Sequence, residues 1–133
     1  MVKTNSETLV LARQIAAAAS KIKAVDVKIL DLRKLTSLAD YFVICGATSD
    51  RHAEAIGDSI VREVKNAGRM PLGIEGYEHA QWIIADYGDV VAHIFYGPLR
   101  EIYAIEKLWA DAPRVRMRKE SAKTREKKKK FKH

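Results

Sequence analysis

Seven side chains that could bind a metal, move a proton or grip a partner fall within one short stretch: Glu75, Glu78, His79, Trp82, Asp86, Asp89 and His93. Two carboxylates at i and i+2 on one strand face would clamp phosphate-bound magnesium and support nucleotidyl transfer. No Asp-x-Asp or Glu-x-Asp occurs in a segment with strand character, and Glu75 and Glu78 straddle Gly76 without that spacing. His79 has no partner at metal-ligand spacing. The phosphate-cradling Gly-x-x-x-x-Gly-Lys-Ser/Thr is absent, as is a Gly-x-Gly-x-x-Gly following a strand. Cys45 lies inside the apolar run YFVICG, which reads as a structural thiol rather than a nucleophile. His52, beside Arg51, reads as a solvated or capping residue in a first helical turn. No complete catalytic set emerges, and neither a metal nor a cofactor is expected. The residues lean toward gripping a macromolecule.

The elements that position them follow from period and punctuation. Thr4 and Glu7 have capping-box spacing, so a helix starts near Asn5, with Leu9, Ile15, Ala16, Ala19 and Ile22 as its apolar stripe. Val25–Leu32 alternates as a strand, and Tyr41–Gly46 is a continuous apolar run, hence a buried strand. Thr48 or Ser49 caps a second helix whose buried stripe is Ala53, Ile56, Ile60, Val61 and Val64, with Gly68 in the C-terminal glycine position. PLGIEG is a short strand whose proline places it at an edge or a strand start. Gly97-Pro98 opens a last helix carrying Leu99, Ile102, Tyr103, Glu106 and Trp109, and Pro113 ends the ordered part. The expected fold is α/β (α+β): two layers, a mixed β-sheet with helices.

The segment WIIADYGDVVAHIFYGP, Trp82 to Pro98, reads as a hairpin. With Tyr87-Gly88 as the turn, Asp86 faces Asp89 and Trp82 faces His93. One face then carries Trp82, Ile84, Asp86, Asp89, Val91, His93 and Phe95. The other carries Ile83, Ala85, Val90, Ala92, Ile94 and Tyr96, and it is the one expected to pack on the helices. Like charges across strands repel. The aspartates are therefore either ordinary turn chemistry beside a glycine or a docking spot for a partner's Lys or Arg next to Trp82. His93 reads as packed or hydrogen-bonded, and Glu75 as a solvated edge carboxylate.

Charge is unevenly distributed. Residues 114–133 hold eleven Lys/Arg and two Glu, a net +9, whereas residues 1–113 hold 13 basic and 15 acidic residues, a net −2. That division argues against a basic nucleic-acid-binding core and leaves a tail able to touch phosphates. Residues 113–133 are expected as a basic tail, flexible or extended as a helix through Glu/Lys pairs, beside a domain at 1–112. One cysteine allows no internal disulfide. No apolar run approaches the ~20 residues of a membrane span, and the N-terminal residues lack the pattern of a secretory signal. A cytoplasmic protein is expected.

The motifs DYFVI (Asp40–Ile44), GATSDRH (Gly46–His52), PLGIEG (Pro71–Gly76), Trp82, DYGDVVAH (Asp86–His93) and EKLW (Glu106–Trp109) occur in an order that closely resembles the ribosomal silencing factor family, the Iojap-type proteins. The resemblance spans about residues 7–110, with the tail from Arg114 outside the shared pattern. It implies a nucleotidyltransferase-like fold that has lost its chemistry. It implies a translational repressor that binds the large ribosomal subunit through its protein fourteen and blocks joining of the small subunit, and it implies homodimers. On this sequence the partner-binding surface would include Glu75, Trp82, Asp86, Asp89 and His93. The lack of a transit segment favours a bacterial cytoplasmic member over an organellar one. Two alternatives stay open: a divergent metal-dependent nucleotidyltransferase with Glu75, Asp86 and Asp89 as ligands, and an RNA-binding module led by the tail, which could contact ribosomal RNA.

Overall fold

Ala12, Ile15, Ala16 and Ala19 are fully buried on one side of the first helix, α1 (Asn5–Lys21). Ala53, Ile56, Ile60 and Val64 are fully buried on one side of the second, α2 (Asp50–Asn66). These are the stripes expected from a period of 3.6, with Val61 at the half-buried margin. The small residues of α1 let α2 approach closely, and Ser59 donates a buried hydrogen bond to the Ala18 carbonyl at 2.9 Å. The arrangement comes from a computed structural model that describes residues 5–97 and 110–115. The Thr4 cap, the helix expected from Pro98 to Trp109 and the tail beyond Val115 lie outside the described residues.

Ser49 caps α2, its hydroxyl accepting the His52 N–H at 3.0 Å. The other end closes as a Schellman motif: Gly68 N–H reaches the Lys65 carbonyl and Arg69 N–H the Val64 carbonyl, with Gly68 at φ 98°. His52 takes the capping role. Its Nδ1 lies 2.9 Å from the Thr48 N–H it accepts, and its Nε2 donates to the Ile22 carbonyl at 2.7 Å, pinning the end of α1 to the start of α2.

The strands are β1 (Val25–Asp31), β2 (Tyr41–Ala47), β3 (Gly73–Glu75), β4 (Trp82–Asp86), β5 (Val90–Tyr96) and β6 (Arg114–Val115). They form one mixed sheet in the order β3-β4-β5-β2-β1-β6, with β2 and β5 parallel and the other neighbours antiparallel. The strand β2, apolar throughout, lies in the middle, and β3, entered through Pro71, is an exposed edge. Among the described residues both helices pack on one face, against Tyr41, Val43, Cys45, Ala47, Ile83, Ala85, Val90, Ala92 and Ile94. Cys45 is buried in that core. A smaller cluster of Leu30, Leu32, Ile44, Phe95 and Ala112 forms on the other face.

Two details depart from the sequence reading. In β1 a register irregularity between Val25 and Lys28, with Asp26 at φ 51°, breaks the alternation and leaves Val25 exposed. Order also continues past Pro113, whose carbonyl accepts the Asp31 N–H at 2.8 Å, so that Arg114 and Val115 pair with Leu30 and Ile29 as β6. Two residues opposite a preformed strand leave no periodic signal in sequence.

Candidate functional site

The hairpin keeps its expected faces but not its expected pairing. Asp86 lies opposite Val91, Ile84 opposite His93 and Trp82 opposite Phe95. The turn is centred on Gly88-Asp89, one residue later than expected, so the register moves by two and every side chain stays on its side. The cause is local. The Asp86 carboxylate accepts the Gly88 N–H at 2.7 Å, Tyr87 N–H closes on the Val90 carbonyl at 2.9 Å, and Gly88 takes φ 88°, a glycine conformation. Asp86 therefore does not face Asp89 across the strands, and the expected like-charge opposition is absent. Asp89 lies in the turn itself, where its carbonyl accepts the N–H groups of Asp40 and Tyr41 and joins the hairpin to β2.

Across the face turned away from the helices the pairing sets Glu75, Ile84, His93, Ile44 and Lys28 in one cross-strand row. A second row holds Asp86, Val91, Phe42 and Leu30, and a third holds Trp82 and Phe95. The structure thus brings Trp82 and His93 together. Glu75 and Asp86 share their face, with Glu75 two strands away from His93, about 10 Å. Asp89 stands at the sheet's end. Among the described residues no group of three His, Cys, Asp or Glu side chains is placed to hold a metal ion, so Glu75, Asp86 and Asp89 do not form the ligand set of the nucleotidyltransferase alternative.

The centre of the face is an aromatic nest. Trp82 stacks on Phe95 with centroids 5.1 Å apart, and its indole Nε1 donates to His93 Nδ1 at 3.2 Å. Phe42 meets the imidazole edge-on at 4.6 Å. His93 is only 5% exposed, and burial pushes its imidazole down to about 4. The ring is therefore neutral near pH 7. Since Nδ1 accepts the indole N–H, the proton sits on Nε2, which is buried and has no hydrogen-bond partner among the described residues. Trp82, Ile84, Val91 and Phe42 are half-buried, so the nest reaches the surface.

Phe42 was legible in sequence only as part of a buried run. A strand apolar on both sides hides which residue faces which way. An apolar fringe runs along the β3 edge, where Met70, Leu72 and Ile74 are exposed, without a periodic signal in the sequence. This edge is fastened by Leu72 N–H to the Asp86 carbonyl at 2.7 Å and by the Arg69 guanidinium to the Tyr87 carbonyl at 2.9 Å.

The chain matches the family described as ribosomal silencing factor during starvation over residues 4–133, a span that includes the basic tail which the motif comparison had left outside. It is 40% identical over 98 residues to the ribosomal silencing factor of Bacillus subtilis, covering 74% of this chain and 83% of that protein. It is 33% identical over 87 residues to a mouse protein named mitochondrial assembly of ribosomal large subunit protein 1, covering 63% of this chain and 38% of that one. A crystal structure of a Chromobacterium violaceum protein superposes with a TM-score of 0.75 at 33% identity, over 81% of this chain and 88% of that one. With a family match from residue 4 to residue 133 and a relative 40% identical over 98 residues, the chain belongs to the ribosomal silencing factor family.

Proposed function

We propose that this protein is a cytoplasmic translational repressor that docks on the large ribosomal subunit through its protein fourteen and stands where the small subunit must arrive. The observation that carries the reading is the family match over residues 4–133. The mouse relative, whose name concerns assembly of the large ribosomal subunit, supports the choice of subunit. The docking surface is the face bearing Glu75, Trp82, Asp86 and His93, with Asp89 at its end. A partly apolar face whose β3–β4 side carries Glu75 and Asp86 suits a basic ribosomal protein: charge steers the encounter, and the half-buried aromatic group supplies a desolvated centre. The mechanism is steric, so no bond is made or broken. The basic tail adds contact with ribosomal RNA phosphates, and the free protein associates as a homodimer.

Trp82→Ala is expected to weaken co-sedimentation with large subunits by about 2 kcal/mol per folded molecule, the size of an aromatic hot spot. Because Trp82 also stacks on Phe95 and holds His93, the folded fraction must be measured alongside by circular dichroism. Undiminished binding by the folded variant would remove Trp82 from the interface. Normal joining of purified subunits in an excess of the wild-type protein would end the steric reading.

The tail separates docking from plain RNA binding. Truncation belongs after Val115, since Arg114 and Val115 complete the sheet. The truncated chain is expected to retain most of its affinity for large subunits and to pull down purified protein fourteen, with a shallower dependence on salt. Loss of nearly all binding would favour the RNA module.

A further inference from the structure

Among the described residues the Nε2–H of His93 is a buried donor without an acceptor, set in the aromatic centre of its face. A buried polar hydrogen without an acceptor is a standing cost to the free fold, and native proteins tolerate few of them. Here the arrangement is enforced from one side. The Trp82 indole can only donate, so its bond to Nδ1 obliges the neutral imidazole to carry its proton on Nε2. Phe42, edge-on against the ring, and Trp82 are both half-buried, so the packing around the imidazole reaches the surface.

We propose that the Nε2–H of His93 is a specificity-determining donor of the docking face, completed by a backbone carbonyl oxygen of the bound partner, and that Trp82 is the positioning residue that fixes its tautomer. The proposal rests on the docking reading above and adds the identity of the recognised group. A neutral acceptor fits better than a carboxylate. Glu75 and Lys28 lie in the same cross-strand row, each two strands from His93 on opposite sides, and Asp86 and Arg114 lie in the next, so the site has no net positive charge to hold an anion. On the β3–β4 side Glu75 and Asp86 favour Lys or Arg flanking the carbonyl on the partner. The fitting partner is thus an extended basic segment offering a main-chain oxygen, and Trp82 acts less as a protruding anchor than as the brace behind the donor.

The test uses the full chain and isolated large ribosomal subunits. In His93→Phe the ring shape stays and the donor goes; in His93→Gln an amide N–H returns near the same place. His93→Phe is expected to stay folded and to lose at least 10-fold in affinity, and His93→Gln to recover to within about threefold of wild type. Long-range proton–nitrogen NMR of the free protein is expected to show the Nε2-protonated neutral tautomer for His93. In Trp82→Phe, which keeps a stacking ring but no N–H, that pattern is expected to give way to a mixture of tautomers. A folded His93→Phe that binds like wild type, equal losses in His93→Phe and His93→Gln, or an Nδ1-protonated imidazole in wild type would each overturn the proposal. If wild type itself fails to sediment with large subunits, the docking reading fails and the donor's role goes with it; binding that ignores His93 defeats only the donor.

Discussion

Unfolding the protein at pH 4 is expected to require about 3 kcal/mol less free energy than at pH 7 on account of one side chain, His93. Burial pushes this imidazole down to about 4, from an ordinary value near 6.5 in an unfolded chain. A group depressed on folding contributes stability that is fully present above its unfolded value and is lost as pH falls toward its folded value. The loss therefore falls between about pH 6.5 and pH 4. Asp31 also titrates low, because the Arg33 guanidinium bonds its carboxylate at 2.6 and 2.8 Å, but its contribution disappears only at still lower pH. Urea midpoints measured from pH 7 to pH 4 for wild type and His93→Phe isolate the effect. The wild-type curve falls through this window and the variant's is flatter. Parallel curves would mean that His93 accepts a proton without leaving its nest.

Gly76→Ala is expected to cost on the order of 3 kcal/mol of stability and to abolish ribosome docking with it. Gly76 takes φ 95°, where a side chain is strained, and its missing Cβ would run into the Trp82 carbonyl oxygen and lie 3.1 Å from the Ile83 Cα. Those are backbone atoms of β4, which cannot swing aside as a flexible side chain does. The bend at Gly76, closed by Ala80 N–H on the Gly76 carbonyl at 2.8 Å, turns the chain from β3 toward β4. Moving it displaces Glu75 and Trp82 together. Gly73→Ala, at the start of the same strand and with open space around it, is the control, expected within about 0.5 kcal/mol of wild type. Equal urea midpoints for the two variants would show that the bend is not the constraint.

Local sequence was enough for α1 and α2 with their buried stripes, the two caps of α2, the central strand, and the two faces of the hairpin. Each follows from interactions between residues close along the chain: period 3.6 against period 2, Ser49 bonding three residues on, and Gly68 closing α2. The hairpin faces were legible although its turn was misplaced by one residue, because a register error of two leaves the alternation of side chains untouched. The motifs from Asp40 to Trp109 likewise carried the family. Contacts between residues far apart along the chain became visible in the folded molecule alone. Parallel pairing of β2 with β5 carries Phe42 to His93 and sets Ile44 beside it. The Asp86 carboxylate chose the turn by bonding Gly88, a competition between two local geometries that spacing could not settle. β6 exists only because β1 offers Arg114 and Val115 an edge. The Trp82–His93 bond, which turns a packed histidine into a donor of fixed tautomer, depends on a diagonal contact across two strands. Residue types name its two ends, but only the folded register brings them within 3.2 Å.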